Sequence, residues 1–138
     1  MTKVVFDTNV FLSGLFWKGN PNKLFELVFS KKIVGVTSNE ILIELKEKLL
    51  TKFNYPKDQA EVFIRIIIED FSIVIPQTRV SVVEDKKDDK IIEAAIEANA
   101  DFIVSGDKHL LKLKNYETIK IVSPNELMNY LKEKGIHS

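Results

Sequence analysis

The chain has 138 residues and a mass of 15.8 kDa, with 20 Lys+Arg against 20 Asp+Glu. That length and an apolar share of 45% suit one globular unit, expected to span 1–138, and exclude a disordered or collagen-like chain. Zero Cys excludes a disulfide framework and a thiolate metal site, and His109 and His137 are too few for a multi-histidine centre. Any bound metal must therefore be held by oxygen ligands, which suit hard ions such as Mg²⁺ or Mn²⁺. No apolar run reaches the ~20 residues of a membrane span. No basic stretch, apolar segment and cleavage site precede Lys3-Val4-Val5-Phe6, so we expect no secretory signal and a cytoplasmic location.

In chain order, Lys3 to Phe6 reads as a short buried strand, ended by Asp7-Thr8-Asn9. Pro21 opens a helix in which Leu24, Leu27 and Val28 share a face, and Ile33 to Val36 is a second strand. Ser38 is an N-cap signal before Ile41, Leu42, Leu45 and Leu49. Pro56 starts another helix, with Val62, Phe63, Ile66 and Ile67 at helical period, and Ser72 to Ile75 is a third strand. A helix carrying Ile91, Ile92, Ala95 and Ala98 begins at Asp88 or Asp89, and Phe102 to Val104 is a fourth strand. Ile119 to Val122 is a fifth, and the capping box Ser123-Pro124-Asn125-Glu126 starts a last helix running to about Lys134.

Strands alternating with helices imply a mainly parallel sheet, covered on both faces by right-handed crossovers. Functional crevices in such sheets lie beyond the carboxyl ends of the strands, where strand order reverses. Asp7 ends the first strand and Asp107 follows the fourth by a short turn, so both fall at that level. Each acid also has a structural reading. Asp7 can cap a turn and Asp107 a helix, Glu44 borders a buried stripe, and the run Glu84 to Lys90 suits a solvated loop or a helix start. Converging carboxylates ~5 Å apart repel by roughly 3 kcal/mol per pair at an effective dielectric of ~20, so such a group persists by binding a cation or keeping protons.

Four segments, in order, carry a resemblance over Val4 to about Leu131. They are Val5-Phe6-Asp7-Thr8-Asn9-Val10, Ser38 to Leu45, Asp88-Asp89-Lys90-Ile91-Ile92-Glu93-Ala94-Ala95, and Ala100 to Leu111. The chain resembles the PIN-domain nucleases, particularly the small stand-alone group that includes VapC-like toxins. The resemblance implies a three-layer α/β/α fold with a five-stranded sheet in order 3-2-1-4-5. Position by position, it assigns the catalytic, metal-holding acids to Asp7, Glu44, Asp89 and Asp107. Asp89 rather than Asp88 is assigned because the family's third acid stands just before the apolar residues that dock its helix. Asn9 matches a polar residue that braces the first acid, and Ser105 a hydroxyl near the fourth.

The implied activity is Mg²⁺- or Mn²⁺-dependent hydrolysis of phosphodiester bonds in single-stranded RNA, as the toxin of a toxin–antitoxin pair. Its implied partners are an antitoxin protein and a second copy in a homodimer. Lys86, Lys87, Lys90, Lys108 and Lys112 lie near the site segments and could meet phosphates. A phosphatase of the haloacid-dehalogenase type needs an Asp where this chain has Asn9. A receiver domain needs one after the third strand, where Pro76-Gln77-Thr78 stands. The remaining alternative is a non-catalytic PIN-fold module that binds RNA or protein.

Overall fold

In the computed structural model, which describes residues 1–137, Lys3–Phe6 forms strand β1 with Val4, Val5 and Phe6 completely buried. Successive strand residues point to opposite faces, so helices must cover this strand on both sides. The chain continues through helices α1 (Thr8–Phe16) and α2 (Asn20–Phe29) to β2 (Val34–Ser38). Helices α3 (Asn39–Thr51) and α4 (Lys57–Asp70) then lead to β3 (Ser72–Val74). A long loop and a 3-10 turn (Lys86–Asp88) precede α5 (Asp89–Ala98) and β4 (Phe102–Val104). The last elements are α6 (Lys108–Leu113), β5 (Asn115–Tyr116), β6 (Ile119–Val122) and α7 (Pro124–Glu133).

The sheet runs β3-β2-β1-β4-β6-β5, with every pair parallel except β5–β6. The five parallel strands keep the order that the resemblance implies, with β6 as the expected fifth. The sixth strand, β5, is a correction: two residues, paired antiparallel through Asn115–Lys120 and Tyr116–Ile119, extend one edge. Right-handed crossovers place α1 to α4 on one face and α5 on the other, where it lies across the four strands β1 to β4.

The first face is filled by phenylalanines: the Phe6 ring lies 5.2 Å from Phe71 and 5.5 Å from Phe25, by centroid. Gly14 lets α1 approach this cluster, since a Cβ there would stand 2.1 Å from the Phe25 ring. Helix α1 was not anticipated from periodicity. Its buried residues, Thr8, Val10, Phe11, Leu12 and Gly14, do not form one stripe, because α2, α3 and the core surround it. Elsewhere the local signals hold. The Ser38 hydroxyl accepts from Ile41 N at the start of α3, and Ser123 and Glu126 form the reciprocal capping box of α7. Among the described residues, no helix is long and apolar enough to cross a membrane.

Candidate functional site

Strands β1 and β4 are neighbours, with Phe6 opposite Val104, and from here the chain departs to β2 on one side and β6 on the other. This is the topological switch point, and Asp7 and Ser105 emerge from it side by side. Asp7 N donates to Val104 O, and Ser105 N to Val122 O. The Asp7 side chain does not cap α1. Its Oδ2 instead accepts the Ser105 hydroxyl at 2.7 Å. The same Ser105 Oγ accepts from Asp107 N at 2.9 Å, so one buried hydroxyl ties the acid after β1 to the acid after β4.

Asp107 also fulfils its structural reading. Its Oδ1 accepts from His109 N and Leu110 N and caps α6, and both bonds use that one oxygen. Glu44, half-buried on α3, lies between two ammonium groups, with Lys90 Nζ 2.5 Å from Oε1 and Lys48 Nζ 3.5 Å from Oε2. Asn9 is exposed and its Oδ1 accepts from Lys48 Nζ at 3.4 Å, so Ser105 is the residue that hydrogen-bonds Asp7.

The acid at the start of α5 resolves into two residues with different surroundings. Asp89 is buried, and its Oδ1 accepts from Val82 N at 3.2 Å and Val83 N at 3.0 Å, which anchors the preceding loop. Asp88, the last residue of the 3-10 turn, is buried with Oδ2 lacking any hydrogen-bond partner. Burial, followed by repulsion from Asp7, Asp107, Asp85 and Glu44, pushes the Asp88 carboxyl up to about 7. The two neighbours thus differ: Asp88 is repelled by the other carboxylates, and Asp89, the residue assigned by the resemblance, is engaged by loop amides.

The remaining acids respond differently. Asp7 is raised by burial, against the opposing Ser105 hydrogen bond, with Asp107 adding to the rise. Burial would also raise Glu44. The hydrogen bond from Lys90, the nearby Thr8 hydroxyl and the charges of Lys90 and Lys48 outweigh it and hold the group below the usual range. Asp7, Asp88, Asp107 and Glu44 thus form one electrostatic group of oxygen donors. As these side chains stand, no three His, Asp or Glu among the described residues are arranged to enclose one ion. The all-carboxylate donor set and the unpartnered Asp88 Oδ2 nevertheless fit a hard divalent cation.

Sequence reasoning missed Glu93. It is buried on α5, accepting from Val80 N at 3.0 Å and Arg79 Nη1 at 2.8 Å. Glu97 Oε1 accepts from Gln77 N one turn further on. Asp89, Glu93 and Glu97 recur every four residues, so they form one stripe that holds the loop after β3 by its amides. A Glu inside the apolar stretch Ile91-Ile92-Glu93-Ala94-Ala95 was the signal.

Residues 3–109 match the family model of the PIN domain, and the chain belongs to that family. It is 37% identical, over 91% of its length and 89% of the relative's, to the uncharacterised protein MJ1680 of Methanocaldococcus jannaschii. Two solved structures share the fold at low identity. One is VapBC2 of Rickettsia felis bound to a DNA fragment from its promoter, with TM-score 0.61, 17% identity, and 87% of this chain and 97% of that chain covered. The other is VapBC-1 of nontypeable Haemophilus influenzae, with TM-score 0.58, 12% identity, and 90% and 99% covered.

Proposed function

We propose that the chain is a divalent-metal-dependent endoribonuclease acting on single-stranded RNA, with Asp7, Glu44, Asp88 and Asp107 as its metal-holding acids. The supporting observation is Asp88, a buried carboxyl whose Oδ2 has no partner and which Asp7, Asp107, Asp85 and Glu44 repel. Repulsion of this kind is what a cation relieves. A bound Mg²⁺ or Mn²⁺ would supply an activated water and charge stabilisation for the departing oxygen. Ser105 orients Asp7 and fixes the Asp107 backbone, while Asp107 keeps Oδ1 on the α6 cap. Asp89 holds the loop that delivers Asp88.

The fold shared with VapBC proteins supports a toxin role with an antitoxin partner, and the apolar surface of α4 supports a homodimer. The experiment is cleavage of single-stranded RNA in Mn²⁺ and in EDTA. Wild type should cut only with Mn²⁺, and Asp7→Asn and Asp88→Asn should lose about 10²-fold or more, the scale of removing one charge-stabilising group. Asp89→Asn, which loosens the loop that delivers Asp88 without removing a proposed ligand, should lose less of its rate than Asp88→Asn. Mn²⁺-independent cutting, or Asp7→Asn as active as wild type, refutes the reading. Mn²⁺ binding without cleavage would instead point to a non-catalytic module.

A further inference from the structure

Glu44 is held more firmly than a surface ion pair requires. Its partners Lys90 and Lys48 are 16% and 31% exposed, and each ammonium has a second acceptor. Lys90 Nζ donates to Lys87 O at 2.7 Å, and Lys48 Nζ to Asn9 Oδ1 at 3.4 Å. Two ammonium groups thus share the single Glu44 carboxylate, directly beside the acidic group. A cleft of about 320 Å³ opens at this point, lined by Lys48, Lys87 and Lys90 and by Glu40, Glu44 and Glu47.

We propose that Lys48 and Lys90 form a phosphodiester subsite, and that Glu44 is exchanged between these lysines and the metal ion. This inference rests on the reading of the site as a metal-dependent ribonuclease. A phosphodiester presents two anionic oxygens, as the Glu44 carboxylate does, and can accept the same ammonium donors. The lysines and a divalent ion compete for Glu44, while Glu44 and the phosphodiester compete for the lysines. Binding of one ligand therefore releases the group that the other needs. The coupling is reciprocal: metal raises RNA affinity by the same factor by which RNA raises metal affinity.

The test measures each ligand separately on the full chain: Mn²⁺ alone by calorimetry, and a labelled single-stranded 12-nucleotide oligouridylate in EDTA by anisotropy. Glu44→Gln should bind the RNA about fivefold more tightly and Mn²⁺ about tenfold more weakly. Lys90→Met should do the reverse, and Lys48→Met should follow it more weakly, giving a second variant should one fold poorly. Lys52→Met, at the C-cap of α3 and one turn beyond Lys48, removes an equal charge and should change Mn²⁺ affinity less than twofold. Unchanged Mn²⁺ affinity in both Lys90→Met and Lys48→Met, with RNA bound by wild type, overturns the exchange and leaves the proposed function standing. Failure of the wild-type chain to bind the RNA in EDTA overturns the lysine subsite, while cleavage in Mn²⁺ decides the proposed function separately.

Discussion

A carboxyl whose folded value is about 7, against an ordinary 3.8, makes Asp88 a proton reservoir of the folded state. Between these values the folded chain holds a proton that the unfolded chain has released. Asp88 therefore contributes stability that is complete below pH ~4 and lost as pH rises through ~7. Asp7 is shifted the same way, whereas Glu44 is lowered and loses its contribution as pH falls. In EDTA, thermal stability should thus decline from pH 5 to pH 8, and Asp88→Asn should flatten that decline. At pH 8 the variant should melt a few degrees above wild type, as roughly 1 kcal/mol gives in a domain of this size. Mn²⁺ at pH 8 should raise the wild-type melting temperature by mass action, and the variant's less. Melting curves across pH, with and without Mn²⁺, check all of these, and a wild-type stability flat from pH 5 to 8 contradicts the assignment.

At the scale of elements, α5 works as a splint. Its apolar side docks on the sheet through Ile91, Ile92, Ala94 and Ala95, while Asp89, Glu93 and Glu97 grip the loop. Glu93 is the central grip, because it is buried and receives both a backbone amide and Arg79. Glu93→Gln keeps the shape but loses the charge on both bonds, which should cost about 1–3 kcal/mol. Urea denaturation should place the midpoint correspondingly lower. Because the loop leads into the turn bearing Asp88, cleavage should fall as well, through weaker Mn²⁺ binding rather than weaker RNA binding. A loss confined to RNA affinity would separate this loop from the acidic group.

Over the whole molecule, the apolar surface is unevenly distributed. On α4 only Ala60 and Ile67 are buried, while Val62, Ile66 and Ile68 are exposed, and Ile43 of α3 is 66% exposed. Leu15, Tyr55, Val62, Phe63 and Ile66 line an apolar groove of about 260 Å³ between α1 and α4. A patch of this kind on a small domain needs a cover. Light scattering at micromolar protein should give twice the 15.8 kDa chain mass, and Ile66→Glu should return it to one.

The five parallel strands and most helices were legible because strand-length apolar runs and caps such as Ser38 and Ser123 act locally, whereas the strand order followed from the resemblance to PIN domains. Helix α1 was not, since burial on several sides erased its period, and β5 is too short to carry one. For the site, Asp7 and Asp107 could be placed from the strand ends alone. The different surroundings of Asp88 and Asp89 could not, since they arise from a 3-10 turn that ends at Asp88 and from loop amides that occupy Asp89.

The grip of α5 on its loop also has a consequence in time. Gln77, Val80, Val82 and Val83 belong to no strand or helix, yet each backbone N–H is bonded to an acid of one stripe. Amides in irregular segments ordinarily exchange with solvent deuterium through small local openings. Those of Val80, Val82 and Val83 must wait until the loop peels from the helix, because Glu93 and Asp89 are both buried. Their protection should therefore lapse together rather than residue by residue, at a rate set by detachment of the loop from α5. Proteases should find this irregular stretch no easier to cut than a sheet edge.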